Sequence, residues 1–387
     1  MICLLVGLMF IVFFLSILHL TFPSKLSRDF LALFGWLFKR HLNLLALMEN
    51  DLGNYFLLTE KVLREKFNGK IEINGHVHTK IVLTPLMMDF GSKKIVSKLL
   101  PYGAEPIRKP IAEQVIALFN GIKTYTKKNP NGMFEIYPFL GVNPQNPWYD
   151  LPKLEELLNK YFGEYVGNEA ALRANMGKFN GNIDELGSNF FTGIKVYPPL
   201  GFDPWPEDGE EMKKVEFLYE FCCERNIPIT VHCNDGGFRV DSIRATHRRS
   251  SPEKWEQVLT YDDSKYGKLK LNLAHMGKQK SLFSFGQKSW IDIVLKLVAT
   301  YENVYTDFSY IEFEDKDYKK LKQLIEKKSE ELNYDLKNKI LFGTDFMICL
   351  QRINTYNDYL SLFVNTKHFT GQDKELFCSV NPQKFLF

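Results

Sequence analysis

The feature that most constrains this chain is a set of four short apolar runs, each ending in a residue type that binds metal. The runs end at His76-Val77-His78, at His232, at His275 and at Asp345, and they hold four of the eight histidines. In a parallel α/β fold, side chains at the carboxyl ends of the strands meet at one face and carry the catalytic groups. The pattern therefore predicts a parallel sheet with a polar site where its strands end.

Beyond about residue 71, short apolar runs alternate with long amphipathic stretches, which is typical of βα units. The apolar runs predict strands at residues 81–88, 133–140, 193–197, 227–232, 269–275, 303–307 and 340–345. The stretches between them predict helices at residues 112–126, 151–161, 209–224, 252–260, 289–300 and 316–331. We expect a (β/α)8 barrel with an apolar and helical N-terminal extension. These runs supply only seven strands, so the first strand has still to be identified.

Composition fits one large globular unit. The chain has 387 residues, 45% of them apolar and 25% charged, which suits a barrel with insertions. We divide it into an N-terminal segment, residues 1–70, and a barrel, residues 71–387. The net charge of +3 argues against a nucleic-acid partner. None of the six cysteines forms a Cys-x-x-Cys pair, which suits a reducing compartment and predicts a cytoplasmic protein.

The first twenty residues, MICLLVGLMFIVFFLSILHL, are almost wholly apolar. Such a run is just long enough to cross a bilayer as a helix. Basic residues follow it, and the positive-inside rule then places the rest of the chain in the cytoplasm, anchored by residues 1–20. The alternative is that the run is a core element, such as a barrel strand.

The residue types at the ends of the runs suit a metal site. Imidazole nitrogens and carboxylate oxygens bind zinc, and a catalytic zinc site keeps one position open for water. Side chains two residues apart on a strand share a face, so His76 and His78 are expected to point the same way. A carboxylate such as that of Asp345 can both bind the metal and take a proton from the attacking water.

Several phrases in the chain resemble the amidohydrolase superfamily, in particular its amidohydrolase-related branch of hydrolases and decarboxylases. They are FTGIKVYPP at residues 191–199, VHCN at 231–234, LAHMG at 273–277, NVYTDFS at 303–309 and FGTD at 342–345. The closing segment NPQKFLF, residues 381–387, is similar to the last helix of that family. The resemblance covers roughly residues 80–387. Each phrase alone is weak evidence for the family, but the phrases in this order are fairly specific to it.

The resemblance implies roles for individual residues. His232 and His275 match the metal-binding histidines after the fifth and sixth strands, and Asp345 matches the aspartate after the eighth, a ligand and general base. With His275 and Asp345 as catalytic groups, the resemblance implies a divalent metal, with zinc first among the candidates. Some superfamily members use a lysine at the position of Lys195 to bridge two metals. We expect Lys195 to hold a substrate carboxylate instead, beside Tyr197 in the pocket wall.

The first strand departs from the family pattern. His76-Val77-His78 is followed after two residues by the run at 81–88, which leaves no room for the crossover that parallel neighbours need. In one interpretation His76 and His78 are true ligands and the first βα unit is irregular. In a second, residues 14–22 form the first strand and bring His19 to the site. His76 and His78 then lie in a hairpin turned by Asn74-Gly75. In a third, residues 1–20 anchor a barrel that is incomplete.

These observations predict a metal-dependent hydrolase that acts on a small molecule with an amide, ester or lactone carbonyl, or one that decarboxylates a small carboxylic acid. The alternative is a catalytically degraded barrel that serves as a binding or membrane-associated protein. The number of imidazoles that converge at the strand ends distinguishes the two. The sequence leaves the substrate and the oligomeric state open.

Overall fold

The computed structural model describes residues 51–91, 111–279 and 289–387. The apolar run at residues 1–20, the alternative first strand at 14–22 and His19 all lie outside these ranges. Within them the chain is a mixed α/β protein built around parallel strands. None of its helices there is both long enough and apolar enough to cross a membrane.

Six parallel strands form the central sheet in the order of the chain. They are β5 (Phe139–Gly141), β6 (Gly193–Val196), β7 (Ile229–His232), β8 (Leu271–Ala274), β9 (Val304–Asp307) and β10 (Ile340–Leu341). Every residue of these strands is buried, as expected for a sheet covered on both faces. The register pairs Lys195 with Thr230 and Thr230 with Asn272, so polar side chains from neighbouring strands lie at one level.

Two further parallel strands extend this arrangement. Strands β3 (Ile81–Leu83) and β4 (Phe134–Ile136) pair with each other. The ladder continues into β5, because the Tyr137 N–H donates to the Leu83 carbonyl at 2.8 Å and the Phe139 N–H donates to the Pro85 carbonyl at 2.9 Å. The predicted strands at 81–88 and 133–140 are thus neighbours, as the barrel hypothesis requires.

The parallel arrangement does not close on itself within the part of the chain that is described. Strand β3 pairs only with β4 at one end, and β10 pairs only with β9 at the other. The parallel α/β architecture that the sequence predicts is therefore present from β3 to β10. A closed (β/α)8 barrel is not formed by the described residues alone.

His76-Val77-His78 belongs to a separate hairpin. Strand β1 (Ile71–Ile73) pairs antiparallel with β2 (His76–His78) across a turn at Asn74-Gly75. Both turn residues have positive φ, 56° and 76°, which is the backbone that Asn-Gly hairpin turns adopt. The expectation that this run ends as a parallel barrel strand is therefore wrong, and the hairpin of the second interpretation is what forms.

Helices follow the parallel strands, and several begin at side-chain caps. Asp150 and Asp208 each accept hydrogen bonds from backbone N–H groups of the first turn. The helices are α1 (Leu52–Phe67), α2 (Ala112–Lys128), α3 (Leu151–Phe162), α4 (Glu169–Asn175), α5 (Gly209–Arg225), α6 (Ile243–Ser250), α7 (Pro252–Tyr261), α8 (Trp290–Thr300), α9 (Asp315–Leu332), α10 (Tyr356–Asn365), α11 (Gly371–Glu375) and α12 (Asn381–Leu386). The six helices predicted between strands are all present, within a few residues of their predicted ends.

The C-terminal helix α12 packs against the inner side of the strands. The Phe385 ring lies 6.5 Å from the ring of Phe139 and 5.4 Å from that of Tyr305, measured between centroids. These buried aromatic residues form a small apolar cluster with Leu341 and Leu386. Tyr305 of this cluster pairs in register with Asn272, so the cluster directly adjoins the row of polar side chains in the sheet.

Candidate active site

The carboxyl ends of strands β6 to β10 open onto one cavity of about 2030 Å³. Successive residues of a strand point to opposite faces, so alternate residues of β6 and β7 reach the cavity together. Among the charged and polar side chains that line it are Lys195, Tyr197, His232, His275, Asp307 and Asp345. The structure thus brings together five residues that the sequence singled out, and adds Asp307.

His232 and His275 form the centre of this group. His232 is the last residue of β7 and His275 follows β8 directly, so neighbouring strands deliver the two rings side by side. Their ring centroids are 5.0 Å apart and both residues are about 95% buried. Burial, together with the nearby His275 and Lys195, holds the pKa of His232 well below its ordinary value. His232 is therefore a neutral imidazole at neutral pH.

The loop after β7 closes over His232. The His232 Nε2 atom lies 3.2 Å from the carbonyl oxygen of Gly236. Gly237 has φ +98°, and a Cβ there would lie 2.4 Å from the Tyr197 hydroxyl and 3.0 Å from His232 Nε2. Only glycine lets the backbone approach this closely, so the loop is built to contact the imidazole.

His275 is held by the end of the next strand, β9. Its Nδ1 atom lies 2.9 Å from both the carbonyl oxygen and the hydroxyl oxygen of Ser309, and its backbone N–H donates to Asp307 at 3.1 Å. Asp307 also accepts hydrogen bonds from Asn272 Nδ2 at 2.7 Å and from the Ser309 hydroxyl at 2.5 Å. Burial alone would raise the pKa of Asp307, but His275 and these hydrogen bonds together lower it below its usual value.

Lys195 is a buried cation on the same face. The residue is 5% exposed, and its Nζ atom lies 5.6 Å from the centre of the Tyr197 ring. Burial lowers the pKa of Lys195 to about 8, and the carboxylates of Asp345 and Asp307 oppose this effect. The Tyr197 hydroxyl accepts a hydrogen bond from the Phe238 N–H at 3.2 Å, and burial raises the pKa of Tyr197.

Asp345 lies where the chain leaves β10. The strand ends at Leu341, four residues earlier than the pattern predicts. Asp345 is partly buried and has a left-handed backbone, with φ 48°. It lines the cavity, and its negative charge raises the pKa of Lys195, against the effect of burial.

His76 and His78 occupy a different environment. The His76 side chain is 66% exposed, and its Nδ1 atom lies 2.5 Å from the Glu375 carboxylate at the end of α11. His78 reaches the cavity wall, where its Nε2 atom is buried without a hydrogen-bond partner. The structure therefore does not bring the two histidines into the cavity as a pair.

The described residues contain part of the predicted set of metal ligands but not a complete one. Within residues 51–91, 111–279 and 289–387, no group of three or more His, Cys, Asp and Glu side chains is arranged to hold a metal ion. The rings of His232 and His275 are close enough to share one ion, and the Gly236 carbonyl oxygen lies 3.2 Å from His232 Nε2. The donor chemistry of the pair fits a divalent ion, and a full ligand set needs at least one more donor.

A sequence profile of the amidohydrolase family matches residues 179–387, a span that includes Lys195, His232, His275, Asp307 and Asp345. The chain belongs to the amidohydrolase family. This confirms the resemblance seen in the sequence and supports a general amidohydrolase-type function for the chain. No curated protein sequence matches the chain.

Solved structures similar to this amidohydrolase are distant in sequence. One is a 4-oxalomesaconate hydratase from Rhodopseudomonas palustris, with 12% identity and a TM-score of 0.46, covering 87% of this chain and 82% of that chain. Another is a probable 2-pyrone-4,6-dicarboxylic acid hydrolase from Acinetobacter baumannii, with 13% identity, a TM-score of 0.45, and coverage of 79% and 99%. A third is an amidohydrolase from Burkholderia multivorans with bound zinc, with 12% identity, a TM-score of 0.38, and coverage of 65% and 72%.

Sequence reasoning did not assign functions to Asp307, Ser309 and Asn272. The signal was available in part, because Asp307 and Ser309 lie in the phrase NVYTDFS that carries the family resemblance. Their contacts with His275 join residues more than thirty positions apart in the chain. Only the register of β8 against β9 shows that these residues meet.

Proposed function

We propose that this amidohydrolase is a metal-dependent hydrolase acting on a small molecule with an amide, ester or lactone carbonyl. The observation that carries the proposal is the pair of buried imidazoles, His232 and His275, at the ends of neighbouring parallel strands. Asp345 and the cation of Lys195 line the same cavity. This combination of buried imidazoles, a carboxylate and a buried cation suits the binding and activation of a polar carbonyl substrate.

The residues that would hold the ion are His232, His275 and Asp345. His232 is neutral, as a ligand must be, and His275 has its Nε2 atom unoccupied by any described residue. His19 is the further imidazole that we propose as a ligand if the chain's first strand comes from residues 14–22. A bound divalent ion, zinc by the ligand types, would lower the pKa of water and polarise the substrate carbonyl.

The remaining groups act on protons and on the substrate. Asp345 lines the cavity and would accept the proton of the attacking water. With its pKa lowered to about 8, Lys195 is still mostly cationic at neutral pH and can bind a substrate carboxylate. Tyr197 would close the wall beside His232, with their ring centroids 4.6 Å apart.

A buried lysine that binds carboxylates also suits decarboxylation of a small acid. The same cavity would then hold the leaving carboxylate near Lys195 rather than a scissile amide or ester. Product analysis separates the two reactions, since only decarboxylation releases carbon dioxide. The alternative of a degraded, non-catalytic binding protein rests on the incomplete ligand set among the described residues.

We also propose that residues 14–22 complete the barrel as its first strand. Neither β3 nor β10 has a second strand beside it among the described residues, and residues of both strands line the same cavity. The outer edge of β10 is covered by the C-terminal segment, since the Phe342 N–H donates to the Phe377 carbonyl at 2.8 Å and Asn381 Nδ2 donates to the Ile340 carbonyl at 2.8 Å. The edge of β3 away from β4 can pair with a further strand, because a strand edge presents backbone N–H and C=O groups. A strand in that position would run beside β3 and bring His19 toward the proposed site.

The proposal is tested by the metal content of the purified full chain, measured by inductively coupled plasma mass spectrometry. We expect close to one equivalent of divalent metal in the wild type and in His76→Ala, the exposed control. The double variant His232→Ala/His275→Ala should lose it. A panel of esters, lactones and amides then tests metal-dependent hydrolysis. A wild-type chain that binds no metal and hydrolyses nothing in the panel would overturn the proposal in favour of a binding protein.

A further inference from the structure

The buried network around His275 determines which nitrogen of its ring carries hydrogen. The Ser309 carbonyl oxygen, 2.9 Å from Nδ1, can only accept a hydrogen bond. The Ser309 hydroxyl is also 2.9 Å from Nδ1, but it donates its hydrogen to Asp307 at 2.5 Å and therefore accepts from the ring. Both neighbours of Nδ1 are acceptors, so the neutral ring must carry its hydrogen on Nδ1 and its lone pair on Nε2.

Asp307 is the centre of this network. It accepts from the Ser309 hydroxyl, from the Ser309 N–H at 3.0 Å, from the His275 N–H at 3.1 Å and from Asn272 at 2.7 Å. All four residues are at least 94% buried. The Asn272 bond engages the second carboxylate oxygen, so the carboxylate cannot rotate without losing a buried hydrogen bond.

The backbone that carries His275 is also unusual. His275, Met276 and Gly277 have φ values of 66°, 51° and 68°, a run of left-handed residues that is unfavourable for side chains other than glycine. The hydrogen bond from the His275 N–H to Asp307 stabilises the first of these residues. Asp307 therefore fixes both the turn that presents the ring and, through Ser309, the hydrogen on the ring.

We propose that Asp307, acting through Ser309, is the positioning residue that holds His275 as the Nδ1–H tautomer, with the Nε2 lone pair available in the cavity. The tautomer is a property of the folded chain alone. The use of the lone pair, as a metal ligand or as a base, rests on the proposed function. His232 differs from His275. The Gly236 carbonyl oxygen near its Nε2 atom can only accept a hydrogen bond, so the neutral His232 ring carries its hydrogen on Nε2.

The proposal is tested by nuclear magnetic resonance of the full chain labelled with ¹⁵N-histidine and stripped of metal with a chelator. Long-range ¹H–¹⁵N spectra at pH 8 distinguish the two neutral tautomers, and the His275 signals are assigned by their loss in His275→Gln. We expect the Nδ1–H pattern in the wild type. An Nε2–H pattern there would overturn the proposal, whether or not any variant folds.

The role of Asp307 is tested by Asp307→Ala, which removes the acceptor for the Ser309 hydroxyl. That hydroxyl can then donate to His275 Nδ1, so the Nε2–H population should rise by about tenfold, as expected for loss of a hydrogen bond to a charged group. Asp307→Asn keeps an acceptor and should restore most of the Nδ1–H form. The exposed helix cap Asp150→Ala is the matched control and should leave the pattern unchanged.

A wild-type pattern in Asp307→Ala would show that the Ser309 carbonyl alone fixes the ring, which contradicts a positioning role for Asp307. If Asp307→Ala does not fold, Asp307→Leu takes its place, since it fills the space of the carboxylate and offers the Ser309 hydroxyl no acceptor. An unchanged tautomer in that variant would equally refute the role of Asp307. Because no metal and no substrate are present, these outcomes are independent of whether the chain proves to be a hydrolase.

Discussion

Two pairs of histidines in this chain are candidates for the same site, but the structure places them in different environments. His76 and His78 form the more conspicuous motif, yet they lie in a two-stranded hairpin where His76 is exposed and contacts Glu375. His232 and His275 are 43 residues apart in the chain, but adjacent parallel strands bring their rings to 5.0 Å. The difference shows that strand pairing, rather than spacing along the chain, determines which histidines share a site.

Leu273→Ala and Val77→Ala compare the packing of the two regions. Leu273 is fully buried in β8, whereas Val77 in the hairpin is 52% exposed. Removing the Leu273 side chain leaves a cavity in the core and should lower the free energy of unfolding by about 4 kcal/mol. Val77→Ala should change it little. Urea denaturation followed by circular dichroism measures both, and equal losses would mean that the hairpin is as firmly packed as the central sheet.

Lys195→Met removes the buried charge from the site and tests whether this charge destabilises the folded chain. The pKa of Lys195 is lowered from 10.5 to about 8, so folding releases a proton between these pH values. The free energy of unfolding should therefore rise as pH increases from about 8 to 10.5, by about 3 kcal/mol from this residue. Below pH 8 the destabilisation by the buried charge is fully present.

The variant Lys195→Met should lack this pH-dependent rise and be more stable than the wild type at pH 7. Lys213→Met, which changes an exposed lysine of α5, is the control and should follow the wild-type pH profile. Denaturation curves at several pH values measure the difference between the two chains. A difference that does not vary with pH would show that Lys195 has an ordinary pKa in the folded state.

His275→Ala and His76→Ala compare the two regions as metal sites. Loss of a first ligand should weaken zinc binding by at least about 100-fold, since even residues that only support a ligand alter affinity by 10- to 100-fold. His76→Ala should bind zinc as the wild type does. Isothermal titration calorimetry on the metal-stripped full chain measures both affinities. A weaker affinity in His76→Ala than in His275→Ala would reverse the assignment of the site.

The sequence was sufficient where burial determines the pattern of residues. Fully buried parallel strands require apolar runs, and these runs predict β6 to β9. They also predict that His232 and His275 lie at the ends of β7 and β8. The Asn74-Gly75 turn likewise predicted the hairpin, because few other residue pairs tolerate two positive φ values.

The sequence was insufficient where function depends on contacts between distant residues. The link from Asp307 through Ser309 to His275 is created by the register of β8 against β9, which no local pattern encodes. The early end of β10 was also missed, because Phe342 extends the apolar run while the chain has already left the strand. Asp345 consequently sits on a left-handed turn rather than at a strand end.

Glu375→Ala is expected to have the smallest effect on stability and zinc binding, and it tests whether the hairpin of His76 and His78 contributes to the site. The carboxylate of Glu375 contacts both His76 and Asn74, so its removal takes away two hydrogen bonds between the hairpin and α11. Ion pairs at an exposed surface contribute little to stability, because water and salt screen them. We therefore expect the unfolding temperature and the zinc affinity of Glu375→Ala to match those of the wild type. A clear loss of zinc affinity would mean that the hairpin, through His78 at the cavity wall, supports the site after all, and the two pairs of histidines would no longer be functionally distinct.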